Sequence, residues 1–286
     1  MKLVTRVSFL VGLAVGAGSP AMAQMPAAAD GPPAILRIGR EEVRASRDPV
    51  HEANETNWAL AYAKTKMQNG WLGMTSMTGP SEFWYLNGYA SWEEMEKANK
   101  ADEANEAWTT ESKKYSALDS DVLSRNSSSI ASYRPAISYH AGSNLARFRY
   151  MSVQLIRLKP GHGREFLDAW REQVAAHETA KMDEGWAFYQ VSSGLQDGVY
   201  LYFQPHVSLA ELDQSGPMHT APAYRDAVGE AGRARAREMS QAAIESSQTL
   251  LFALNPRMSV APKAWMDADP FWAPKPVVPA KPAEKK

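Results

Sequence analysis

Residues 83–94 read FWYLNGYASWEE, and residues 200–211 read YLYFQPHVSLAE, 117 residues further along the chain. Each stretch joins an aromatic, strand-like segment to a Ser-x-x-Glu box, in which the serine caps a helix and the glutamate lies three residues later. Two further pairs keep the same order: Gly70-Trp71 with Gly185-Trp186 at an offset of 115, and Arg134-Pro135 with Asn255-Pro256 at 121. Four matches in one order indicate an internal repeat, and this repeat decides the fold.

Each copy is predicted to run β-α-β-β-α-β. The first copy has strands at 35–43, 71–78, 83–89 and 128–139, with helices at 48–67 and 91–115. The second has strands at 150–158, 186–192, 199–204 and 249–254, a helix after the 160–163 turn, and helical segments from 208 and over 221–246. Two such units are ferredoxin-like halves, each with one sheet face covered by helices. We therefore predict an α+β fold, in which the tandem duplicated units join their bare faces into a pseudo-dimeric α+β barrel.

The chain ends are expected to lie outside this barrel. Residues 1–23 have a basic start, a short apolar run and an Ala-x-Ala site, which predicts a signal peptide cleaved near Ala23 and a periplasmic or extracellular protein. Residues 24–33 form an Ala/Pro-rich lead-in. The repeats are placed at 34–145 and 146–262, and 263–286 are expected to form a C-terminal tail whose last residues are rich in Pro and Lys.

Composition excludes several classes of function. The 286 residues include no Cys, which excludes disulfides, thiol nucleophiles and Cys-ligated metal centres. A net charge of −1 gives no support for nucleic-acid binding. The apolar run at the N-terminus is too short for a membrane span, and the sequence contains neither a phosphate-binding loop nor a dinucleotide fingerprint.

The strand–turn segment at 153–161, which precedes a helix carrying Phe166 and Trp170, resembles the dimeric α+β-barrel superfamily. The stretch at 83–92 is similar to NIPSNAP-like members. The resemblance covers roughly residues 34–260 as two fused copies. It implies an inner cavity, and the superfamily includes cofactor-free monooxygenases, haem-degrading enzymes, haem peroxidase relatives and proteins of unknown role. The fold alone does not select among these activities.

Alternation along the third strand of each copy gives a prediction for the cavity lining. The wholly apolar set Val199, Leu201 and Phe203 is expected to face the helices, with Trp84 and Leu86 in the first copy. The opposite set is expected to face the barrel, and with Arg40 it gives the candidate ligand-binding residues: Arg40, Phe83, Tyr85, Asn87, Tyr200, Tyr202 and Gln204. Such a lining suits a small apolar or aromatic ligand. The alternative is a filled core, in which the tyrosine hydroxyls find partners across the interface.

Three residues are weak candidates for metal binding. His51 and Glu55 lie one helical turn apart in a His-Glu-x-x-Glu pattern, but no third ligand is evident. His177 lies on the buried face of its helix, where a structural role near the helix end is the simpler interpretation. Alternation sends Glu41 to one face of the first strand and Arg40 and Glu42 to the other. One of these groups could act as an acid or base, although a solvated strand end is the default expectation.

The sequence therefore predicts an exported bacterial protein with no identifiable catalytic set. Its main function is expected to be the binding of a small apolar or aromatic molecule in the barrel. The alternatives are a monooxygenase-like or haem-handling enzyme and a non-catalytic interaction module. No cofactor is predicted, with haem kept as an option. The expected partners are a small molecule, no nucleic acid and no membrane span, and the protein is expected to be a monomer or a homodimer.

Overall fold

The computed structural model describes residues 31–65, 69–142, 144–214 and 222–273. Eight antiparallel strands form a closed barrel in the order β1-β3-β2-β8-β5-β7-β6-β4. The strands are β1 (Ile35–Val43), β2 (Leu72–Ser76), β3 (Glu82–Tyr89), β4 (Leu123–Tyr133), β5 (Tyr150–Leu158), β6 (Ala187–Ser193), β7 (Val199–His206) and β8 (Ile244–Leu254). The predicted α+β barrel is therefore present.

Seven α-helices accompany the barrel in the described part of the chain: α1 (Asp48–Lys64), α2 (Trp92–Ala104), α3 (Glu106–Asp119), α4 (Gly163–Ala180), α5 (Ala210–Gln214), α6 (Pro222–Ala243) and α7 (Lys263–Ala268). The order β-α-β-β, then helices, then β occurs over residues 35–133 and again over 150–254. No helix within the described ranges has the length and apolar character needed to cross a membrane.

Element boundaries differ from the prediction where single residues end or begin a helix. Asn105 adopts an extended conformation and accepts a hydrogen bond from the Trp108 amide, so the helix expected over 91–115 is two helices. Ser91 caps the first of them by accepting from the Glu94 amide, as its Ser-x-x-Glu box indicated. Gly229, with φ 65° and ψ 175°, kinks α6, a conformation that glycine adopts without steric cost.

The inside of the barrel is a packed apolar core, and the predicted assignment of the two strand faces is wrong. Leu201, Phe203, Trp84 and Leu86 belong to this core. Along the barrel axis the core includes side chains that are at most 1% exposed: Ile38, Met74, Trp84, Val153, Leu201 and Phe252. Alternation divides the strand residues into two faces, but it does not show which face lies inside the barrel. The more apolar face lies inside because a closed barrel leaves no solvent there.

The last described segment also departs from the prediction. Residues 263–273, expected to begin a loose tail, instead pack against the end of the barrel, and Trp272 is 2% exposed. Its indole Nε1 donates to the Ala146 carbonyl at 2.7 Å. The guanidinium of Arg149 pairs with Asp269 and lies 4.1 Å over the Phe271 ring. The predicted signal peptide, most of the lead-in and residues 274–286 lie outside the described residues.

Candidate functional site

A cavity of about 600 Å³ lies outside the barrel, between the strands of the first half and the helices α1 and α3. Its polar end is formed by Glu41 of β1, Glu55 of α1, Tyr85 of β3 and Asp119 at the end of α3. His51 of α1 lies against the same groups and is completely buried. Four separate elements thus bring ionisable side chains to one place.

His51 is held between two carboxylates and a phenol. Its Nδ1 lies 3.4 Å from Asp119 Oδ1, and its Nε2 lies 3.4 Å from Glu41 Oε2. The Tyr85 hydroxyl is 3.2 Å from the same Nε2. With a proton on Nδ1 facing Asp119, the imidazole presents Nε2 as an acceptor for the Tyr85 hydroxyl. A carboxylate that orients a histidine in this way is an arrangement that supports proton transfer.

Glu41 has the properties of an acid–base group. Burial raises its pKa to about 7, with repulsion from Asp119 acting in the same direction and attraction to His51 opposing it. Its Oε2 atom is buried and has no hydrogen-bond partner among the described residues. A carboxyl whose pKa lies near neutrality can both accept and return a proton at physiological pH.

Burial favours the neutral forms of the two neighbouring groups, Glu55 and Tyr85. Burial raises the pKa of Glu55 well above its ordinary value, and the charges of Glu41 and Asp119 raise it further. Burial likewise raises the pKa of Tyr85, with Glu55 and Glu41 adding to the effect. Several carboxylates this close cannot all be ionised at once, so protons are shared within the cluster.

The remaining walls of the cavity are aromatic. Trp58 and Trp108 meet edge to face with ring centroids 5.0 Å apart, and Tyr62 and Trp71 do so at 4.8 Å. At the far end lies Asp102, whose pKa burial raises to about 6, although Arg37 opposes the shift. These rings contact one another, since Tyr62 and Trp108 are 5.1 Å apart, and a flat ligand ring can pack against this aromatic wall with a hydroxyl or acidic C–H group towards the polar end.

The polar cluster has the donor set of a cation site. The ligand atoms of Glu41, His51, Glu55 and Asp119 all lie within 4.8 Å of one another. Three carboxylate oxygens and one imidazole nitrogen are ligands that divalent first-row metals accept. The weak candidates His51 and Glu55 are thus brought together with two further groups, and these four residues could hold such an ion.

Three of the four first-half candidates, Phe83, Tyr85 and Asn87, lie at this cavity and not inside the barrel. Tyr85 and Asn87 line it, and Asn87 donates to the Gly70 carbonyl at 3.2 Å. Phe83 packs edge to face against His51, with centroids 4.5 Å apart. Arg40 lies apart from this group on the other face of β1, as alternation predicted. It is paired with Glu82 at 2.8 Å and lies over the Trp84 ring.

None of the second-half candidates lines this cavity, although Tyr200 borders a separate one of about 710 Å³ beside the turns at Gly161 and Gly198. Tyr200 and Tyr202 point outwards from β7, against the prediction, and pack in a cluster with Phe166, Phe188 and Trp186. The ring centroids of Phe166 and Tyr200 lie 4.8 Å apart, and those of Trp170 and Phe188 lie 4.6 Å apart. Gln204 pairs with Ser152 in the β5–β7 ladder. The aromatic layer between sheet and helices in this half is filled.

The surroundings of His177 do not fit haem. Its Nδ1 lies 2.7 Å from the Gln173 carbonyl, and its Nε2 faces Glu184 at 3.4 Å. Rings of Trp186 and Tyr224 lie within 5 Å of the imidazole centroid, at 4.7 and 4.8 Å. An axial ligand needs a free nitrogen beside an open planar space. His177 therefore packs in the aromatic layer, as expected for a structural histidine.

Two parts of the site were missed by sequence reasoning. Asp119 lies beyond the predicted end of its helix, and no spacing connects it to His51, 68 residues earlier. Trp58 and Trp108 were not considered as walls, because an aromatic residue on a helix is usually core. A possible signal was the polar character of α1, where His51, Asn54 and Glu55 are buried although none is apolar.

Comparisons with known proteins support the fold. No family model matches the chain, and no curated relative matches it. Among solved structures, a presumed monooxygenase from Fusobacterium nucleatum is similar over 79% of this chain and 93% of its own, with 14% identity and a TM-score of 0.52. This chain therefore shares an α+β-barrel fold with that protein.

Two further solved structures are weaker likenesses. A presumed monooxygenase from Lactobacillus acidophilus covers 81% of this chain and 95% of its own, at 8% identity and a TM-score of 0.49. A chlorite dismutase variant from Candidatus Nitrospira defluvii covers 79% and 93%, at 8% identity and a TM-score of 0.44. These two likenesses are too weak to support a conclusion about this chain, and the Fusobacterium nucleatum structure indicates the fold alone.

Proposed function

We propose that the protein binds a small, flat, weakly acidic aromatic molecule in the first-half cavity and removes a proton from it. The observation that carries this proposal is the buried Asp119–His51 pair, whose Nε2 faces Glu41 and Tyr85 at the end of an aromatic cavity. Glu41 is the base, His51 is its oriented partner, and Tyr85 holds the substrate oxygen by a hydrogen bond. Of the apolar and aromatic ligands that the sequence suggests, we propose an aromatic one, and we propose that it binds in a cavity outside the barrel.

The reaction that fits this site is cofactor-free monooxygenation. Removal of a proton from a phenolic ring system gives an electron-rich anion that can react with dioxygen. In the overall change a ring CH₂ group becomes a carbonyl, one oxygen atom enters the product, and the other leaves as water with the two hydrogens. The chain supplies binding, orientation and proton transfer, for which Glu41 and His51 are the groups in place.

Anthrone tests this proposal, because its tautomer is a three-ring phenol and its central CH₂ group is the reactive carbon. We expect dioxygen uptake in equal amount to anthrone consumed, above the rate without protein, and a strong loss of uptake in Glu41→Gln and Asp119→Asn. Tyr202→Phe, in the filled second half, is the matched control and should keep the rate. An uptake that is the same in all four proteins contradicts the proposal.

Haem handling is the alternative enzyme function, and its test is independent of anthrone. Titration of the protein with haem should give no Soret band that depends on His177, since the rings around that side chain leave no planar space. A band that disappears in His177→Ala would favour haem handling over proton abstraction.

A second candidate function is divalent-cation binding by the four converging groups, which their mutual distance of at most 4.8 Å favours. Calorimetric titration with Mn²⁺ and Zn²⁺ tests it. Saturable binding lost in His51→Ala supports a metal-dependent site. If anthrone oxidation persists in the presence of a chelator, the acid–base function does not depend on such an ion.

Three further proposals concern the chain as a whole. The two β-α-β-β-α-β runs are proposed to be fused copies of one ferredoxin-like unit, with similarity to NIPSNAP-like proteins in the first. The N-terminal pattern supports export, with cleavage near Ala23. Because the strands of both halves already close one barrel within a single chain, a monomer is the simplest assembly, and sedimentation of the mature chain measures it.

A further inference from the structure

A second cavity, of about 370 Å³, lies at one end of the barrel, and we name it the barrel-end cavity. Strands from both halves line it, and all of these side chains are apolar or aromatic: Leu36, Leu72, Leu86, Met151, Ala187, Tyr189 and Phe203. The last described segment covers it with Pro262, Ala264 and Trp265. It lies on the inner face of β3, whereas Tyr85 and the polar cluster lie on the outer face.

The barrel-end cavity is an interruption of an otherwise tightly packed core. Along the barrel axis, Ile38, Met74 and Phe252 show no exposure at all. Protein interiors rarely leave voids larger than a water molecule, so a gap of several hundred Å³ at one end needs an explanation. The short side chain of Ala187 on β6 contributes to the gap, whereas the space above Gly88 is taken by Pro33, whose Cγ lies 2.7 Å from where a Cβ would stand.

The cover over this cavity is held at one side. Trp272 inserts into the core, and Arg149 binds Asp269, which anchors the segment after α7. Helix α7 itself contributes Ala264, Trp265 and Ala268 to the lining but has no fully buried residue. The anchoring thus lies beside the cavity, and the cover above it is a short and weakly buried helix.

We infer that the barrel-end cavity is a second ligand site, which takes an uncharged, mainly aliphatic molecule of medium length. A volume near 370 Å³ lies within the range of small-molecule pockets. An apolar cavity does not hold water well, and apolar molecules enter such spaces readily. The polar residues of the lining include the neutral Asn144 and one side chain of each charge, Arg147 and Asp183, so we expect no preference for a charged head group.

The probe is 1-decanol, with decanoate as a charged comparison. We expect saturable binding of decanol to the mature protein, a rise in melting temperature, and a change in Trp265 fluorescence. Ala187→Phe fills the cavity and should weaken decanol binding at least tenfold. Ala264→Phe does the same from an exposed position of α7, where added volume does not threaten folding. Decanoate binding tighter than decanol would overturn the assignment to uncharged molecules.

Cross-tests separate this site from the proposed proton-transfer site. Tyr85→Phe should leave decanol affinity unchanged, and Ala264→Phe should leave anthrone oxidation unchanged. Absence of decanol binding, or binding that survives both cavity-filling variants, overturns the second site whatever the result with anthrone. Failure of anthrone oxidation alone leaves decanol binding as expected, since no residue of the polar cluster lines this cavity.

Discussion

The layers between sheet and helices differ sharply in the two halves, although their strands pair in the same register. Glu41 lies opposite Phe83 and Gly39 opposite Tyr85 in the first half, while Ile156 lies opposite Tyr200 and Gln154 opposite Tyr202 in the second. The starts of β1 and β5, and of α1 and α4, are both 115 residues apart. At this offset the polar residues Glu41, His51 and Glu55 correspond to Ile156, Phe166 and Trp170.

The contrast shows which kinds of side chain the fold itself requires at the matching positions of the two halves. Ile156 and Phe166 are at most 2% exposed and fill their layer, so the architecture can be closed by apolar side chains at these positions. A buried charge has a large desolvation cost that an isoleucine or phenylalanine avoids. The first half has buried ionisable groups at the matching positions beside a cavity, despite this cost. This is the pattern expected where residues are selected for function and not for stability.

The largest effect is expected when the first half is given the second half's residue. His51→Phe places the side chain of Phe166 at the matching position, so folding should be retained. Loss of the oriented imidazole should lower anthrone oxidation by about 100- to 10,000-fold, the range of general acid–base catalysis. Stopped-flow dioxygen uptake measures the rate, and circular dichroism checks the fold. A folded variant that oxidises anthrone at the wild-type rate would contradict a functional role for His51, and with it the proposed difference between the two halves.

Truncation in the second half should instead remove stability. Phe166 is completely buried among rings, and Phe166→Ala should lower the free energy of unfolding by about 3–5 kcal/mol. Trp58→Ala removes a larger ring, but one that borders the first-half cavity, and its cost should be smaller. Urea unfolding of both variants measures the difference. Equal losses would mean that the first-half layer is packed as tightly as the second.

The pH dependence of stability should come from the first half. Because the folded pKa of Glu41 is about 7 and its ordinary value is 4.5, ionisation opposes folding. Stability from the protonated form is present below pH 4.5 and is lost as the pH rises through 7. Glu41→Gln should therefore gain up to about 3 kcal/mol over the wild type between pH 4 and pH 8.

Unfolding of both proteins at the two pH values measures that gain. Glu42→Gln, on the opposite face of β1, is the control. A gain of the same size in this control would mean that strand-end charge in general, and not the buried cluster, sets the pH dependence.

Much of the fold was readable from the sequence because helix and strand signals are local. The Phe166/Trp170 face of α4 packs on the outer side of the sheet as its spacing indicated. Which face of β7 lies inside the barrel could not be predicted, since Leu201 and Tyr202 are both large and apolar enough to lie inside or outside. Only part of the site could be predicted from the sequence. His51 and Glu55 are one helical turn apart, but Asp119 reaches them only through tertiary packing of α1 against α3.

The smallest expected effect compares the two serine boxes. Ser91 accepts a hydrogen bond from the Glu94 amide at 3.1 Å and begins a helix of 13 residues. Ser208 precedes a helix of only five residues, where Glu211 accepts from the Val207 amide. Ser91→Ala should lower the free energy of unfolding by about 1 kcal/mol, and Ser208→Ala by less. A larger loss at Ser208 would show that the short helix α5 contributes more to the second half than its length implies.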